Sequence, residues 1–111
     1  MMDEPVFRQR VDEALEAVRK ALALAAEEHG FEVDYNAGTL TIEFEEPAPA
    51  KFVLSPNTPV RQVWVSALAK SFKLEWSDEK RSFVWGETGE RLGDLVARLA
   101  GRHLDEIIEL A

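Results

Sequence analysis

Three carboxylates, Asp12, Glu13 and Glu16, fall on one face of the helix that the start of the chain predicts. They belong to an acidic half, because residues 1–50 hold 12 Asp or Glu against 4 Lys or Arg, whereas residues 51–111 hold 9 of each. A surface with this charge attracts cations or a basic protein surface. The alternative interpretation is an ordinary solvated helix face.

A second candidate site is a predicted strand that carries a tryptophan on its polar side. Successive side chains of a strand point to opposite faces, so Val63 and Val65 point to the core. The opposite side carries Gln62, Trp64 and Ser66. Tryptophan is a frequent anchor of protein interfaces, so this side predicts a docking surface. Alternatively, a loop or a neighbouring strand covers the ring.

Composition excludes several kinds of site. The chain has no cysteine, which excludes disulfides, thiolate metal sites and thiol nucleophiles. His29 and His103 fit no metal-ligand spacing, so both are expected to be ordinary surface histidines. The net charge of −8 argues against binding to nucleic acid or to an anionic membrane. No apolar run approaches the ~20 residues that span a bilayer, and we expect a cytoplasmic monomer.

The first carboxylates are positioned by a long amphipathic helix. Asp3 is its expected N-cap, and Gly30 is the expected residue after its last turn. Glu16 and Lys20 are spaced for an ion pair on the polar face. The apolar stripe recurs every three or four residues and consists of Phe7, Val11, Ala14, Leu15, Val18, Leu22 and Ala25.

Short alternating segments predict strands between this helix and a second one near the C-terminus. The clearest alternation is residues 39–45, and other strands are expected at residues 31–35, 51–55, after Thr58-Pro59, 72–76 and 83–85. The last helix is expected from near Glu90, with Gly101 interrupting or ending it, and the apolar tail is expected to pack on the domain. Residues 1–111 are thus predicted to form one α+β domain, a two-layer sandwich. Its N- and C-terminal helices pack on one face of an antiparallel sheet of about six strands, and Trp64 lies on the open face.

The pattern Thr-Pro-x-x-Gln-x-Trp-x-Ser at residues 58–66 resembles the central-sheet signature of the frataxin family. The Asn36-Ala37-Gly38 turn, Trp76 and Gly89 are also similar to that family, and the match runs from about Phe7 to about Leu99. The resemblance implies an iron-binding protein of iron–sulfur cluster assembly that docks on a cysteine desulfurase and its scaffold protein.

The resemblance also implies roles for individual residues. Iron would be bound weakly by surface carboxylates of the first helix and first strand: Asp12, Glu13, Glu16, Glu27, Glu28, Glu32 and Asp34. Such oxygen ligands suit a hard ion as either Fe²⁺ or Fe³⁺. Partners would be bound by Asn57, Gln62, Trp64 and Ser66.

The chain departs from the family at helix positions that are usually acidic, which are occupied by Arg19, Lys20, Ala23 and Leu24. Arg19 and Lys20 split this row of carboxylates, called the acidic ridge in the family, and their positive charges weaken metal binding there. One alternative is therefore an interaction module of the same pathway that has weak or lost iron binding. Another alternative is a ferroxidase. The sequence has no Glu-x-x-His pair of the di-iron type, so we expect that the protein is not an enzyme.

Overall fold

The computed structural model describes residues 2–108 and begins with the long helix that the apolar stripe predicts. This helix, α1, spans Glu4–His29, and every third or fourth residue from Phe7 to Ala25 is buried. Asp3 occupies the N-cap position but makes no side-chain capping hydrogen bond. Gly30 ends the helix at φ 75°, a left-handed conformation that glycine adopts without a steric penalty.

Seven antiparallel strands follow α1 before a second helix closes the fold. The elements are β1 (Glu32–Asn36), β2 (Thr39–Phe44), β3 (Ala50–Asn57), β4 (Gln62–Ala67), β5 (Lys70–Ser77), β6 (Ser82–Trp85), β7 (Glu90–Arg91) and α2 (Leu92–Leu104). A short 3₁₀ turn, Thr58–Val60, joins β3 to β4. Each strand pairs with its sequence neighbours, in the order β1 to β7.

Both helices pack on the same face of this sheet, which confirms the predicted two-layer α+β sandwich. The core contains Phe7, Leu15 and Leu22 from α1, Ile42, Phe52, Val65 and Leu74 from the sheet, and Leu95 and Val96 from α2. Within residues 2–108 no helix covers the opposite face of the sheet, which is called the open face below. None of the helices in residues 2–108 combines the length and the apolar character needed to span a membrane.

Three predictions at the C-terminal end need correction. The sheet has seven strands instead of about six, because Glu90–Arg91 pairs with β6 and α2 begins only at Leu92. Gly101 lies inside α2 and neither interrupts nor ends it. In the tail, Ile108 is buried as expected, whereas Ile107 is 87% exposed, and Leu110 lies outside the described residues.

Gly101 is needed because the tail crosses directly over it. A Cβ atom at this position would lie 2.6 Å from the backbone oxygen of Glu106, so Gly101→Ala must displace the tail. We expect the free energy of unfolding to fall by about 1–2 kcal/mol. The matched control is Gly93→Ala in the same helix, where a Cβ meets no atom within 4 Å and better helix propensity should add about 0.5 kcal/mol.

Urea denaturation of both glycine variants measures the difference. If Gly101→Ala were as stable as Gly93→Ala, the tail would not be packed on α2 as described.

Candidate functional site

Trp64 lies on the open face because β4 has the period of two that its sequence predicts. Val63 and Val65 are fully buried beneath the helices, whereas the Trp64 side chain is 36% exposed. Arg61 fixes the entry to β4, since its Nε donates a hydrogen bond to the backbone oxygen of Met2 at 2.9 Å. The backbone N–H of Arg61 also bonds to the oxygen of Thr58. The start of the strand is therefore tied to the N-terminus.

The indole of Trp64 is held in place by its neighbours on the open face. Its Nε1 donates a hydrogen bond to Oε1 of Gln62 at 2.8 Å. The Nζ atom of Lys73, directly opposite on β5, lies 4.9 Å from the ring centroid in a cation–π arrangement. Gln62 in turn donates a longer hydrogen bond, 3.4 Å, to Glu75. An aromatic ring fixed before binding loses less entropy when a partner covers it.

The other predicted partner-binding residues adjoin Trp64 on the same face. Asn57 pairs with Gln62 across β3 and β4, and Ser66 pairs with Val53. Ser55 stands directly opposite Trp64. The structure thus brings Asn57, Gln62, Trp64 and Ser66 together on two adjacent strands.

The three early carboxylates lie along the exposed side of α1, and each has a polar neighbour. Glu16 accepts hydrogen bonds from Nε and Nη2 of Arg19 at 2.9 and 2.5 Å. Glu13 lies 3.7 Å from Nη1 of Arg10, and Asp12 accepts a 3.2 Å hydrogen bond from the hydroxyl of Tyr35. Glu16 therefore pairs with Arg19 instead of with Lys20, the partner expected from the sequence. The planar guanidinium of Arg19 can donate two parallel hydrogen bonds to a carboxylate.

These contacts shift the protonation of two groups. The hydrogen bond from Arg19 lowers the pKa of Glu16 from its ordinary value, and the charges of Arg19 and Lys20 act in the same direction. Burial raises the pKa of Tyr35, and the nearby Asp12 charge raises it further. Glu16 therefore has a lowered pKa and a cation already on its carboxylate.

The remaining predicted metal ligands lie elsewhere. Glu27 and Glu28 occupy the last turn of α1, where Oε2 of Glu28 is 3.9 Å from Nε2 of His29. Glu32 and Asp34 are exposed on the edge strand β1 and pair with Glu43 and Thr41 of the open face. Within residues 2–108, no group of three or more His, Asp or Glu side chains is arranged to hold a metal ion.

Comparison with known proteins agrees with this fold. Residues 1–106 match the family model described as a frataxin-like domain. The chain belongs to the frataxin family. It is 29% identical over 102 residues to a Pseudomonas putida protein named iron-sulfur cluster assembly protein CyaY, covering 86% of this chain and 91% of that protein. The Vibrio cholerae protein of the same name is 26% identical over 110 residues, covering 97% and 98%.

A solved structure, frataxin from Psychromonas ingrahamii, has the same fold as this frataxin-family chain. The two superpose with a TM-score of 0.77 at 20% sequence identity, and the match covers 99% of each chain. The helix–sheet–helix order read from the sequence is therefore the frataxin fold.

The sequence analysis did not identify two residues that contact the candidate site residues of this frataxin-family chain, Lys73 and Tyr35. Lys73 lies over the ring of Trp64, and this position depends on the register between β4 and β5. Tyr35 reaches from β1 to Asp12 on α1, a contact between residues 23 positions apart. Lys73 lies between buried Phe72 and Leu74, and half-buried Tyr35 lies between exposed Asp34 and Asn36, so the alternation predicts which side of the sheet each faces but not what it contacts.

Proposed function

We propose that this chain acts in iron–sulfur cluster assembly by docking on a complex of cysteine desulfurase and scaffold protein, called the desulfurase–scaffold complex below. The observation that carries the proposal is Trp64, a large apolar side chain fixed by Gln62 and Lys73 on a face without a helix over it. The names of the relatives support the pathway.

The open face has the composition of a docking surface. An aromatic anchor at the centre of a polar surround is the usual arrangement of an interface hot spot. Here the surround consists of Asn57, Gln62, Ser66 and Lys73, all of which present groups able to form hydrogen bonds. A partner that covers the ring would exclude water from it, while the polar surround fixes the orientation.

The acidic side of α1 offers a second contact for the same complex. Asp12 and Glu13 are exposed, and Glu16 is half-exposed. A basic surface on the desulfurase would gain from these charges mainly in association rate and in orientation. Because exposed charges are screened by salt, this contact should weaken as the ionic strength rises.

We further propose that the carboxylates of the same helix bind iron, and the contacts of these carboxylates favour weak binding. Asp12, Glu13 and Glu16 are oxygen ligands on adjacent turns, which suits Fe²⁺ or Fe³⁺. However, Arg19 already occupies both oxygens of Glu16, and Lys20 adds a second cation. A bound ion would have to displace Arg19 or use Asp12 and Glu13 with water.

Removing Arg19 tests this competition. In Arg19→Ala we expect the pKa of the Glu16 carboxyl to rise toward its ordinary value, because the strongest influence lowering it is lost. Carbon-detected NMR titration of the glutamate side chains measures this pKa. Anaerobic Fe²⁺ should then bind near residues 12–16 about threefold more tightly, as expected for one cation removed from a solvated site.

Arg8→Ala is the matched control, since Arg8 pairs with Glu4 at 2.9 Å on the same helix. It should change neither the pKa of Glu16 nor the resonances that respond to iron. An unmoved Glu16 pKa in Arg19→Ala would contradict the described ion pair. Unmoved amides from Asp12 to Glu16 and from Glu27 to Asp34 would exclude iron from these carboxylates.

A pull-down against the host's desulfurase–scaffold complex, at about 50 mM and about 200 mM salt, tests the docking proposal itself. We expect capture at both concentrations, with less protein retained at the higher one. Absence of capture at low salt would overturn the proposal.

A further inference from the structure

A groove on the helical side of the molecule differs in charge from four other grooves of residues 2–108. It lies between α2 and the start of β5, has a volume of about 380 Å³, and is called the basic groove below. Its charged lining residues are Lys70, Arg98 and Arg102, and no carboxylate lines it. Four other grooves in the described part of the chain each include at least one Asp or Glu. In a chain of net charge −8, this local excess of cations is unusual.

The three cations differ in how they are held. Arg98 is fixed by Glu90, which accepts hydrogen bonds from its Nε and Nη2 at 2.8 and 2.9 Å. Arg98 donates neither hydrogen of its Nη1 to Glu90, so both can be donated to a ligand. Lys70 and Arg102 are exposed and make no ion pair or side-chain hydrogen bond within residues 2–108. Two cations are thus available to a ligand, and a third is held in a fixed position.

Apart from His103, the remainder of the lining is apolar. Trp85 is half-buried and packs edge-on against Phe72, with ring centroids 4.9 Å apart. Leu68 lies beside them, on the turn between β4 and β5. Both residues of this turn, Leu68 and Ala69, have positive φ values of 53° and 63°, although neither is glycine. Positive φ at both positions is the usual geometry of a two-residue turn between antiparallel strands, so this turn fixes the register of β4 and β5.

We propose that the basic groove binds an acidic segment of a partner protein, whose carboxylates pair with Lys70, Arg98 and Arg102 and whose single apolar side chain packs on Leu68 and Trp85. Charge complementarity selects an acidic ligand. The apolar lining selects a peptide over a small inorganic anion, which would leave the aromatic surface in water. This groove lies on the helical side, so it can be occupied while the open face holds another partner.

The test is an NMR titration of the isotopically labelled protein with a synthetic acidic peptide of about ten residues that carries one central phenylalanine. We expect shifts at the amides of Lys70, Phe72 and Arg102 and at the indole N–H of Trp85, and none at the indole of Trp64. Replacing the phenylalanine of the peptide by alanine should weaken binding about tenfold.

A charge-reversed variant, Lys70→Glu with Arg102→Glu, should bind the peptide at least about tenfold more weakly. The matched control, Lys20→Glu with Lys51→Glu, makes the same change in net charge at two exposed lysines outside the groove. Its affinity for the peptide should fall by less than about twofold. Amide dispersion of each variant checks that the fold is retained.

Three outcomes would overturn the proposal. Equal weakening by the two double variants would mean that only net charge matters. The same shifts with inorganic phosphate alone would indicate a small-anion site. Absence of shifts at low salt would mean that the groove does not bind acidic peptides. Because the wild-type titration does not involve the open face, its result is independent of the docking proposed for Trp64.

Discussion

Trp64→Ala is expected to weaken binding to the desulfurase–scaffold complex by at least about thirtyfold, the loss typical of an interface anchor. The ring is exposed and fixed on the open face, so it can be covered by a partner without rearrangement. Its removal leaves the core unchanged, because Val63 and Val65 beneath it are untouched. The free energy of unfolding should therefore change by less than about 1 kcal/mol.

Isothermal titration calorimetry and urea denaturation measure the two quantities separately. Ile107→Ala is the matched control, since Ile107 is a large apolar side chain that is 87% exposed in the tail after α2 and belongs neither to the open face nor to the acidic side of α1. It should bind like the wild type. An unfolded Trp64→Ala protein would assign the ring to the core, and wild-type affinity would remove Trp64 from the interface.

Reversing two charges on α1, by Glu13→Lys with Glu16→Lys, should weaken association with the same complex at least about tenfold at low salt. Both changes replace a carboxylate that would face a basic partner, and both place a lysine beside an arginine of the same helix. The affinity of this variant should depend less on salt than that of the wild type, because the screened attraction has been removed.

Binding measured across a salt series tests this expectation. The matched control is Glu79→Lys with Glu87→Lys, which makes the same change in net charge at two exposed turn residues of the second half of the chain. If the control weakened association as much as the α1 variant, the effect would come from net charge and not from a contact on α1.

Features with a local period could be read directly from the sequence. The alternation in residues 39–45 predicts which side chains of β2 are buried, and Leu40, Ile42 and Phe44 are. The same rule places Trp64 opposite Val63. Such features depend only on neighbouring residues, since the period of two and the glycine at a helix end are properties of the local backbone.

Features that depend on distant residues could not be read in this way. β7 has only two residues, Glu90 and Arg91, and it is a strand because β6 lies beside it. Gly101 suggested the end of a helix, but the glycine is needed for the approach of Glu106.

For the candidate site, the sequence predicts positions on the elements, and the roles of the residues stay predictions. The residue types and the face of Trp64 were predicted, but the contacts that modify them were not. Glu16 pairs with Arg19 instead of Lys20, although both spacings are available on a helix. The separation of Glu32 and Asp34 from the α1 carboxylates depends on which face of β1 lies under α1, and pairing with Glu43 and Thr41 of β2 places both on the open face.

The most direct test of the central claim is an NMR spectrum of the labelled protein bound to the desulfurase–scaffold complex. Docking through the open face predicts that signals are lost or shifted at Asn57, Gln62, Ser66, Lys73 and the indole N–H of Trp64, with further changes along the acidic side of α1. An unchanged Trp64 indole, with the changes confined to α2 and the basic groove, would contradict the claim.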